Sequence, residues 1–215
     1  MTSRTDRPSI VGPESPQQPY PLFSDTVVVA GFGRGSSDLG IPTANIPPDS
    51  YEPVLKATTG YEASDTGIYY GYARVDVGNA KALSACEERN KEYLKDRGGS
   101  NGSIVNPQGR DIDFTFGASL SDKDAGVVYP MVMSVGWNPF YGNSSRSAEI
   151  YIMHKFGGPF YGARIRYVVL GYIRPELDYV SVEALIADIN TDVQVAERSL
   201  ARKEYSKYKD DAFFR

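Results

Sequence analysis

Residues 31–36, Gly-Phe-Gly-Arg-Gly-Ser, form a glycine-rich run with one arginine, and this composition could bind phosphate. Glycines let backbone N–H groups approach an anion closely, and Arg34 would add charge-assisted hydrogen-bond donors. The run departs from a dinucleotide-binding fingerprint at Ser36, and the chain has no Gly-Lys pair for a Walker-type phosphate loop. On the loop alone, an ordinary glycine-rich turn is favoured over a phosphate cradle.

A second segment, Gly-Ile-Pro-Thr-Ala-Asn at residues 40–45, follows the glycine run. Pro42 fixes its own φ and biases Ile41 toward an extended backbone. Because side chains alternate along an extended chain, Thr43 and Asn45 should point the same way. A hydroxyl and a carboxamide on one face could hold a metal ion and phosphate oxygens, and the alternative is a plain Pro-Thr-Asn turn.

Glu149 is a carboxylate in an otherwise apolar strand pattern, Ala148–His154. It either faces solvent, which the pattern alone favours, or has a chemical role. His154, the only histidine, falls on the opposite face of an unbroken strand, so the two residues are not expected to form a catalytic pair. A single histidine also excludes multi-histidine metal sites.

Aromatic and cationic side chains mark two further segments. Trp137, Phe140 and Tyr141 could form a flat wall against a ring, although isolated aromatic residues more often belong to a core. Arg174 lies beside Pro175, at a rigid turn between a strand and a helix. The alternative for this arginine is a surface ion pair worth roughly 0–1 kcal/mol.

Short strands separated by Gly, Pro and Asn are predicted to position these groups, over Val27–Ala30, Gly67–Asp76, Met131–Gly136, Ala148–His154 and Ala163–Ile173. The pattern lacks an alternation of helices and strands, which makes a doubly wound α/β sheet unfavourable and favours an antiparallel barrel or sandwich. Apolar residues at helical spacing from Val182 to Val193, with Ser181 as N-cap, predict a C-terminal amphipathic helix.

Composition limits the function classes. The 215 residues include 23 Lys and Arg against 27 Asp and Glu, a net charge of −4 that gives no electrostatic footprint for nucleic acid. The apolar runs are far shorter than the ~18 residues of a membrane span, and one cysteine cannot form an internal disulfide. Residues 1–24 are proline-rich and predicted to be a disordered tail, followed by one domain, 25–215, with a surface insertion at about 77–126.

Seven motifs occur in this order along the chain: GFGRGS, LGIPTAN, TGIYYGYARV, VYPMVMSVGWNPFYGN, SAEIYIMHKF, FYG and GYIRPE. Together they resemble the riboflavin kinase family in its eukaryotic monofunctional, fungal-like form, over about residues 25–200. The resemblance implies a mainly β fold, a six-stranded antiparallel Greek-key barrel with a C-terminal helix. It implies transfer of the ATP γ-phosphate to the ribityl 5′-hydroxyl of riboflavin, giving FMN and ADP. The implied metal is Mg²⁺, with Zn²⁺ or Mn²⁺ as alternatives.

Matched residue by residue, the resemblance implies that Glu149 is the general base and that Thr43 and Asn45 bind the metal and the phosphates. It implies a loop that covers the nucleotide, with ATP-binding residues Gly31, Gly33, Arg34, Gly35, Ser36 and Pro42. Arg174 and the FYG residues Phe160 and Tyr161 correspond to the flavin-side loops, and Trp137 joins them as a ring-binding candidate.

Two residues depart from the family pattern: Ser37 stands where lysine is common, and Tyr151 stands where histidine is usual. A tyrosine can also orient a carboxylate by hydrogen bonding. The alternatives are a non-catalytic flavin-binding barrel and a structural interaction domain, and neither needs Thr43, Asn45 and Glu149 together. The protein is expected to be a cytoplasmic monomer without nucleic-acid or membrane-spanning function, and a mitochondrial or membrane-associated pool is the alternative location.

Overall fold

The computed structural model describes residues 7–29, 40–58, 66–76, 103–105, 111–113, 120–137 and 146–215. The strands in this part of the chain are β1 (Leu22–Val27), β2 (Ala44–Ile46), β3 (Gly67–Asp76), β4 (Ser103–Val105), β5 (Asp111–Asp113), β6 (Val128–Trp137), β7 (Arg146–Ile152) and β8 (Arg164–Arg174). The helices are α1 (Pro48–Thr58), α2 (Val182–Leu200) and α3 (Lys203–Ser206), followed by 3₁₀ turns at Lys207–Asp210 and Ala212–Phe214.

Six strands form one curled antiparallel sheet in the order β1-β8-β3-β6-β7-β2. Its two edges meet just beyond β1, where the Val29 N–H donates to the Asn45 carbonyl oxygen at 2.8 Å. The predicted fold, a six-stranded antiparallel barrel with a C-terminal helix, is confirmed. Among the described strands, the short β4 and β5 pair with each other, and they lie in the segment predicted as an insertion.

The central strand β3 is buried on both faces, which explains why its sequence lacks polar alternation. Tyr69 and Ala73 point into the interior of the curled sheet, where they pack in one apolar cluster. Ile68 and Tyr70 point the other way, into a second cluster that includes Leu200 of α2. The sheet therefore has a packed interior and an outer face that α2 partly covers.

The predicted C-terminal helix begins as expected, because the Ser181 hydroxyl oxygen accepts a hydrogen bond from the Ala184 N–H at 3.2 Å. However, the face of this helix that is buried differs from the apolar face that the residue spacing predicts. Val182 is 51% exposed, whereas Asp188 and Asp192 are buried against the sheet. Within the described residues, no helix has the length and apolar character needed to cross a bilayer.

The expected disorder of residues 1–24 does not fit residues 7–24. Leu22–Val27 is a strand of the sheet, and the preceding segment makes specific hydrogen bonds along α2 and α3. For example, the Val11 N–H donates to the Ser199 hydroxyl oxygen at 3.0 Å. The segment is ordered because its backbone polar groups find partners on the C-terminal helices, a source of order that composition does not reveal. Residues 1–6 lie outside the described residues.

Candidate active site

Three polar side chains predicted to act together do meet in the structure. Asn45 on β2 lies directly opposite Glu149 on β7 in the antiparallel ladder. Thr43 lies just before β2, and its hydroxyl donates to Glu149 Oε2 at 2.7 Å. Side chains opposite each other on one face of a sheet have Cβ atoms about 4.5–5.5 Å apart. The hydroxyl, the carboxamide and the carboxylate therefore form one compact oxygen-rich cluster.

The alternation of β7 explains why Glu149 is available for chemistry. Ala148, Ile150 and Ile152 are buried in the interior of the curled sheet, so Glu149 and Tyr151 lie on the outer face, where both are half-buried. Glu149 is thus neither fully solvated nor enclosed in apolar core. A base in this setting can reach a bound substrate while its negative charge stays compatible with folding.

Sequence reasoning missed a neighbour of this cluster, Ser134. It lies opposite Glu149 on the other side of β7, in the adjacent strand β6, and it is half-buried. Asn45, Glu149 and Ser134 therefore form a continuous polar row across three strands. The available signal was a single hydroxyl residue within the apolar run Met131–Val135.

The proposed nucleotide loop, including Gly31, Gly33, Arg34, Gly35 and Ser36, lies outside the described residues, as does Ser37. The residues that flank it are described. Val29 is hydrogen-bonded to Asn45, and the chain returns at Gly40, whose φ is +74°, a left-handed conformation that favours glycine. Pro42 is exposed next to Thr43. The described residues that flank this segment therefore lie beside the polar cluster.

Trp137 and the turn after β8 lie together at one end of the β6–β7 hairpin. Trp137 is 43% exposed, and the guanidinium of Arg146 lies 5.1 Å from its ring centroid. Glu176 lies so close to Gly136 that a Cβ added to this glycine would be 1.7 Å from Glu176 Oε1. As a residue Glu176 is exposed, but burial of its carboxyl group raises its pKa, and a hydrogen bond from the backbone N–H of Trp137 opposes that effect.

Arg174 is buried and committed to protein partners. Its Nε and Nη2 atoms donate to Asp192 at 3.0 and 2.6 Å, and Nη2 also donates to the Tyr179 hydroxyl at 2.8 Å. Its Nη1 donates to the Pro175 carbonyl oxygen at 2.9 Å. The alternative of an exposed Arg–Glu pair does not hold, because the structure buries this guanidinium against an aspartate of α2 that the sequence analysis did not single out.

Phe160 and Tyr161 lie at the opposite end of the hairpin from Trp137. The ring of Phe160 packs 4.6 Å from that of Phe156. Their turn is tied to the end of β1, because Gly162 N–H donates to the Val28 carbonyl oxygen at 2.8 Å. Between the two ends, six residues of strand at ~3.3 Å each give a separation of roughly 20 Å. The structure therefore does not bring these two aromatic residues together with Trp137.

His154 has a local partner and is not paired with Glu149. Its Nε2 lies 2.7 Å from Asp124 Oδ1, and its ring stacks on Tyr129 with centroids 4.2 Å apart. Hydrogen bonds from Ser121 and then from His154 lower the pKa of Asp124. The histidine thus anchors the turn that precedes β6.

Comparisons with known proteins agree on one family. The family model described as Flavokinase: Riboflavin kinase matches residues 18–200. A riboflavin kinase of Scheffersomyces stipitis is 45% identical over 204 residues, 95% of this chain and 98% of that protein. One from Kluyveromyces lactis is 43% identical over 92% of this chain and 94% of that protein.

Similarity extends to a solved structure. The crystal structure of riboflavin kinase from Trypanosoma brucei aligns with a TM-score of 0.52 and 23% identity, covering 90% of this chain and 86% of that chain. At this identity the likeness supports the fold, a curled antiparallel sheet with a C-terminal helix.

Proposed function

The chain belongs to the riboflavin kinase family, in its fungal form, and we propose that its Thr43–Asn45–Glu149 cluster carries the family's phosphoryl transfer. The protein is a transferase that uses ATP to phosphorylate riboflavin, giving FMN and ADP. One observation supports the location above all: Thr43 is hydrogen-bonded to Glu149 at 2.7 Å, and Asn45 stands directly opposite Glu149.

Glu149 is the proposed general base. Its Oε2 atom accepts the Thr43 hydroxyl proton in a hydrogen bond, which fixes the carboxylate and leaves Oε1 for a second partner. Oε1 would accept the proton of the ribityl 5′-hydroxyl as that oxygen bonds to the γ-phosphorus of ATP and the bond to ADP breaks. A positioned base of this kind contributes roughly 10²–10⁴-fold in rate.

Thr43 and Asn45 are the proposed metal-side residues. A threonine hydroxyl that donates its proton to a carboxylate still has oxygen lone pairs for a cation, and Asn45 offers a carboxamide oxygen. Oxygen donors suit Mg²⁺ or Mn²⁺ better than Zn²⁺, which prefers nitrogen and sulfur. When bound, Mg²⁺ would neutralise negative charge on the phosphate oxygens. Thr43 and Asn45 would hold the γ-phosphate beside the ribityl hydroxyl that Glu149 would deprotonate.

The two substrates are proposed to approach Glu149 from opposite ends of the β6–β7 hairpin. The end with Trp137 and the Pro175–Glu176 turn offers an exposed aromatic ring, which suits the flavin. The end with Phe160 and Tyr161 adjoins Val28, at the stem of the proposed nucleotide loop. We therefore assign Phe160 and Tyr161 to the nucleotide side, in place of the flavin side that the family resemblance implied.

Incubation with riboflavin, ATP and Mg²⁺, followed by chromatography, tests the function directly. FMN should form only when ATP and the divalent cation are both present. A protein that binds riboflavin, as judged by quenching of flavin fluorescence, but forms no FMN would be the non-catalytic flavin-binding module, which the comparisons do not favour. The expectation of a cytoplasmic monomer stays a prediction, and sedimentation analysis would test its oligomeric part.

A further inference from the structure

Two carboxylates of α2, Asp188 and Asp192, lie on the helix face that packs against the sheet. Asp188 is 7% exposed and Asp192 is 2% exposed. Residues four apart are neighbours on a helix surface, so these two negative charges repel each other in a poorly solvated place. Such a pair is compatible with folding only when cations with good geometry compensate both charges.

Two arginines provide that compensation, and they come from distant parts of the chain. Arg174, at the end of β8, donates hydrogen bonds from Nε and Nη2 to the two carboxylate oxygens of Asp192. Arg7 bridges both acids, with Nη1 at 3.1 Å from Asp192 Oδ1 and Nη2 at 2.5 Å from Asp188 Oδ2. Burial opposes ionisation of Asp188, but hydrogen bonds from Arg7 and Tyr179 outweigh it and hold the pKa of Asp188 below its ordinary value. The cluster of two acids and two arginines is neutral only while Arg7 is docked.

The N-terminal segment that carries Arg7, residues 7–13, is held in place along α2 and α3. Arg202 donates to the carbonyl oxygens of Val11, Gly12 and Pro13, at 2.6, 2.9 and 2.5 Å. The Tyr205 hydroxyl also donates to the Pro13 carbonyl oxygen, at 3.0 Å. These contacts anchor residues 11–13, and Arg7 at the start of the segment is held by its own bonds to the two acids.

The cluster of two acids and two arginines connects through Arg174 to the Pro175–Glu176 turn, which lies beside the polar row. Arg174 holds the Pro175 carbonyl oxygen through Nη1, and the next residue, Glu176, lies against Gly136. Gly136 pairs with Ser147, two residues from Glu149 along β7. A shift of the Arg174 guanidinium would therefore move Pro175 and Glu176 relative to the strand that carries the base.

We propose that Arg7 is a positioning residue for the riboflavin side of the site. By neutralising Asp188 and sharing Asp192, it keeps Arg174 in a single arrangement, and Arg174 keeps the Pro175–Glu176 turn against Gly136. This inference rests on the proposed function, because it names the substrate whose binding the turn controls. It assigns a role to an N-terminal segment that has no part in the phosphoryl-transfer chemistry.

The test uses the full chain with the variants Arg7→Gln, Arg7→Lys and Arg7→Gln/Asp188→Asn. Arg164→Gln is the matched control, since Arg164 forms an ion pair with Asp25 at the opposite end of β8. Steady-state kinetics give KM for riboflavin, KM for ATP and kcat, and thermal unfolding gives Tm. We expect Arg7→Gln to raise the KM for riboflavin about tenfold and to leave the KM for ATP unchanged. A change of this size is within the range of effects from residues that influence a site without contacting its ligand.

Charge balance distinguishes positioning from general packing. Asp188→Asn should restore the KM for riboflavin in the Arg7→Gln background, because it removes the uncompensated negative charge. Arg7→Lys should raise the KM for riboflavin less than Arg7→Gln does, since lysine supplies the charge without the two-pronged geometry. If the Arg7→Gln protein does not fold, the KM values for riboflavin and ATP of the Arg7→Lys and Arg7→Gln/Asp188→Asn proteins decide the question.

An unchanged KM for riboflavin in folded Arg7→Gln protein would overturn the inference. So would equal rises in both KM values that follow a lower Tm and are not reversed by Asp188→Asn, because they would reflect only a weakened fold. A parent protein that forms no FMN would refute the proposed function, and this inference with it. An active parent with an unaffected Arg7→Gln variant would refute the inference alone.

Discussion

Replacing Glu149 with glutamine isolates the proton-accepting role from the structural one. The glutamine carbonyl oxygen can still accept the Thr43 hydrogen bond that Glu149 Oε2 accepts at 2.7 Å. Glu149 is half-buried on the outer face of β7, and its described contacts include no buried cation. Removing its negative charge therefore leaves no buried positive charge unpaired among these contacts. We therefore expect the free energy of unfolding to change by no more than ~0.5 kcal/mol, as for most surface substitutions.

The expected effect on catalysis is far larger. Loss of a general base lowers kcat by roughly 10²–10⁴-fold. At ~1.4 kcal/mol for each factor of ten, this corresponds to about 3–5 kcal/mol of activation free energy. The measurement is steady-state FMN formation by chromatography, with KM for both substrates. Glu197→Gln, on the exposed face of α2, is the matched control and should keep the parent's kcat.

Two results would contradict this reasoning. A Glu149→Gln enzyme that keeps more than a tenth of the parent's kcat would show that another group, or water, accepts the proton. An enzyme whose activity returns as Mg²⁺ is raised would show that Glu149 serves mainly to bind the metal. Near-normal KM values with a kcat that does not respond to Mg²⁺ are the outcome that the geometry predicts.

Three more substitutions test other parts of the site and fold. Thr43→Ala should raise the Mg²⁺ concentration for half-maximal activity by about tenfold or more, whereas Thr43→Ser should not; identical metal titrations for the two variants would exclude this hydroxyl from the metal site. Gly71→Ala would place a Cβ 1.8 Å from a backbone oxygen of β8. A cost of about 3 kcal/mol should lower Tm by roughly 6–12 °C, and Gly157→Ala, with open space around it, should not change Tm. Gly136→Ala should displace the Glu176 carboxylate and raise the KM for riboflavin more than that for ATP; an equal effect on both would place the flavin elsewhere.

Elements with strong local signals could be predicted from sequence. Gly67–Asp76 was predicted with the bounds it has in the structure, because its aromatic and β-branched residues favour a strand on either face. The alternation rule also predicted that Glu149 and His154 do not pair, although β7 ends at Ile152, before His154. The meeting of Thr43 with Glu149 is not a local property, since the two residues lie 106 residues apart. Only the resemblance to a family brought these residues together in advance.

Charged residues that become buried are the part that sequence patterns miss. Asp188 and Asp192 would be assigned to a solvated helix face, because a pattern cannot show that Arg174 and Arg7 will meet them. The proline-rich N-terminal segment is misjudged for the same reason. Its order depends on backbone hydrogen bonds to Arg202 and Tyr205, which lie almost at the other end of the chain.

The position of Glu149 within β7 is central to the proposed arrangement of the two substrates. It lies three residues from Arg146 at one end of the strand and three from Ile152 at the other, or about 10 Å from each end at the usual rise of a strand. Phosphoryl transfer requires donor and acceptor oxygens roughly in line on either side of the same phosphorus. A base in the middle of the strand would suit the proposed arrangement, in which one substrate approaches from each end. In that proposed arrangement, the register of β6 and β7 fixes where the base lies between the two substrates, more directly than any single aromatic residue at either end.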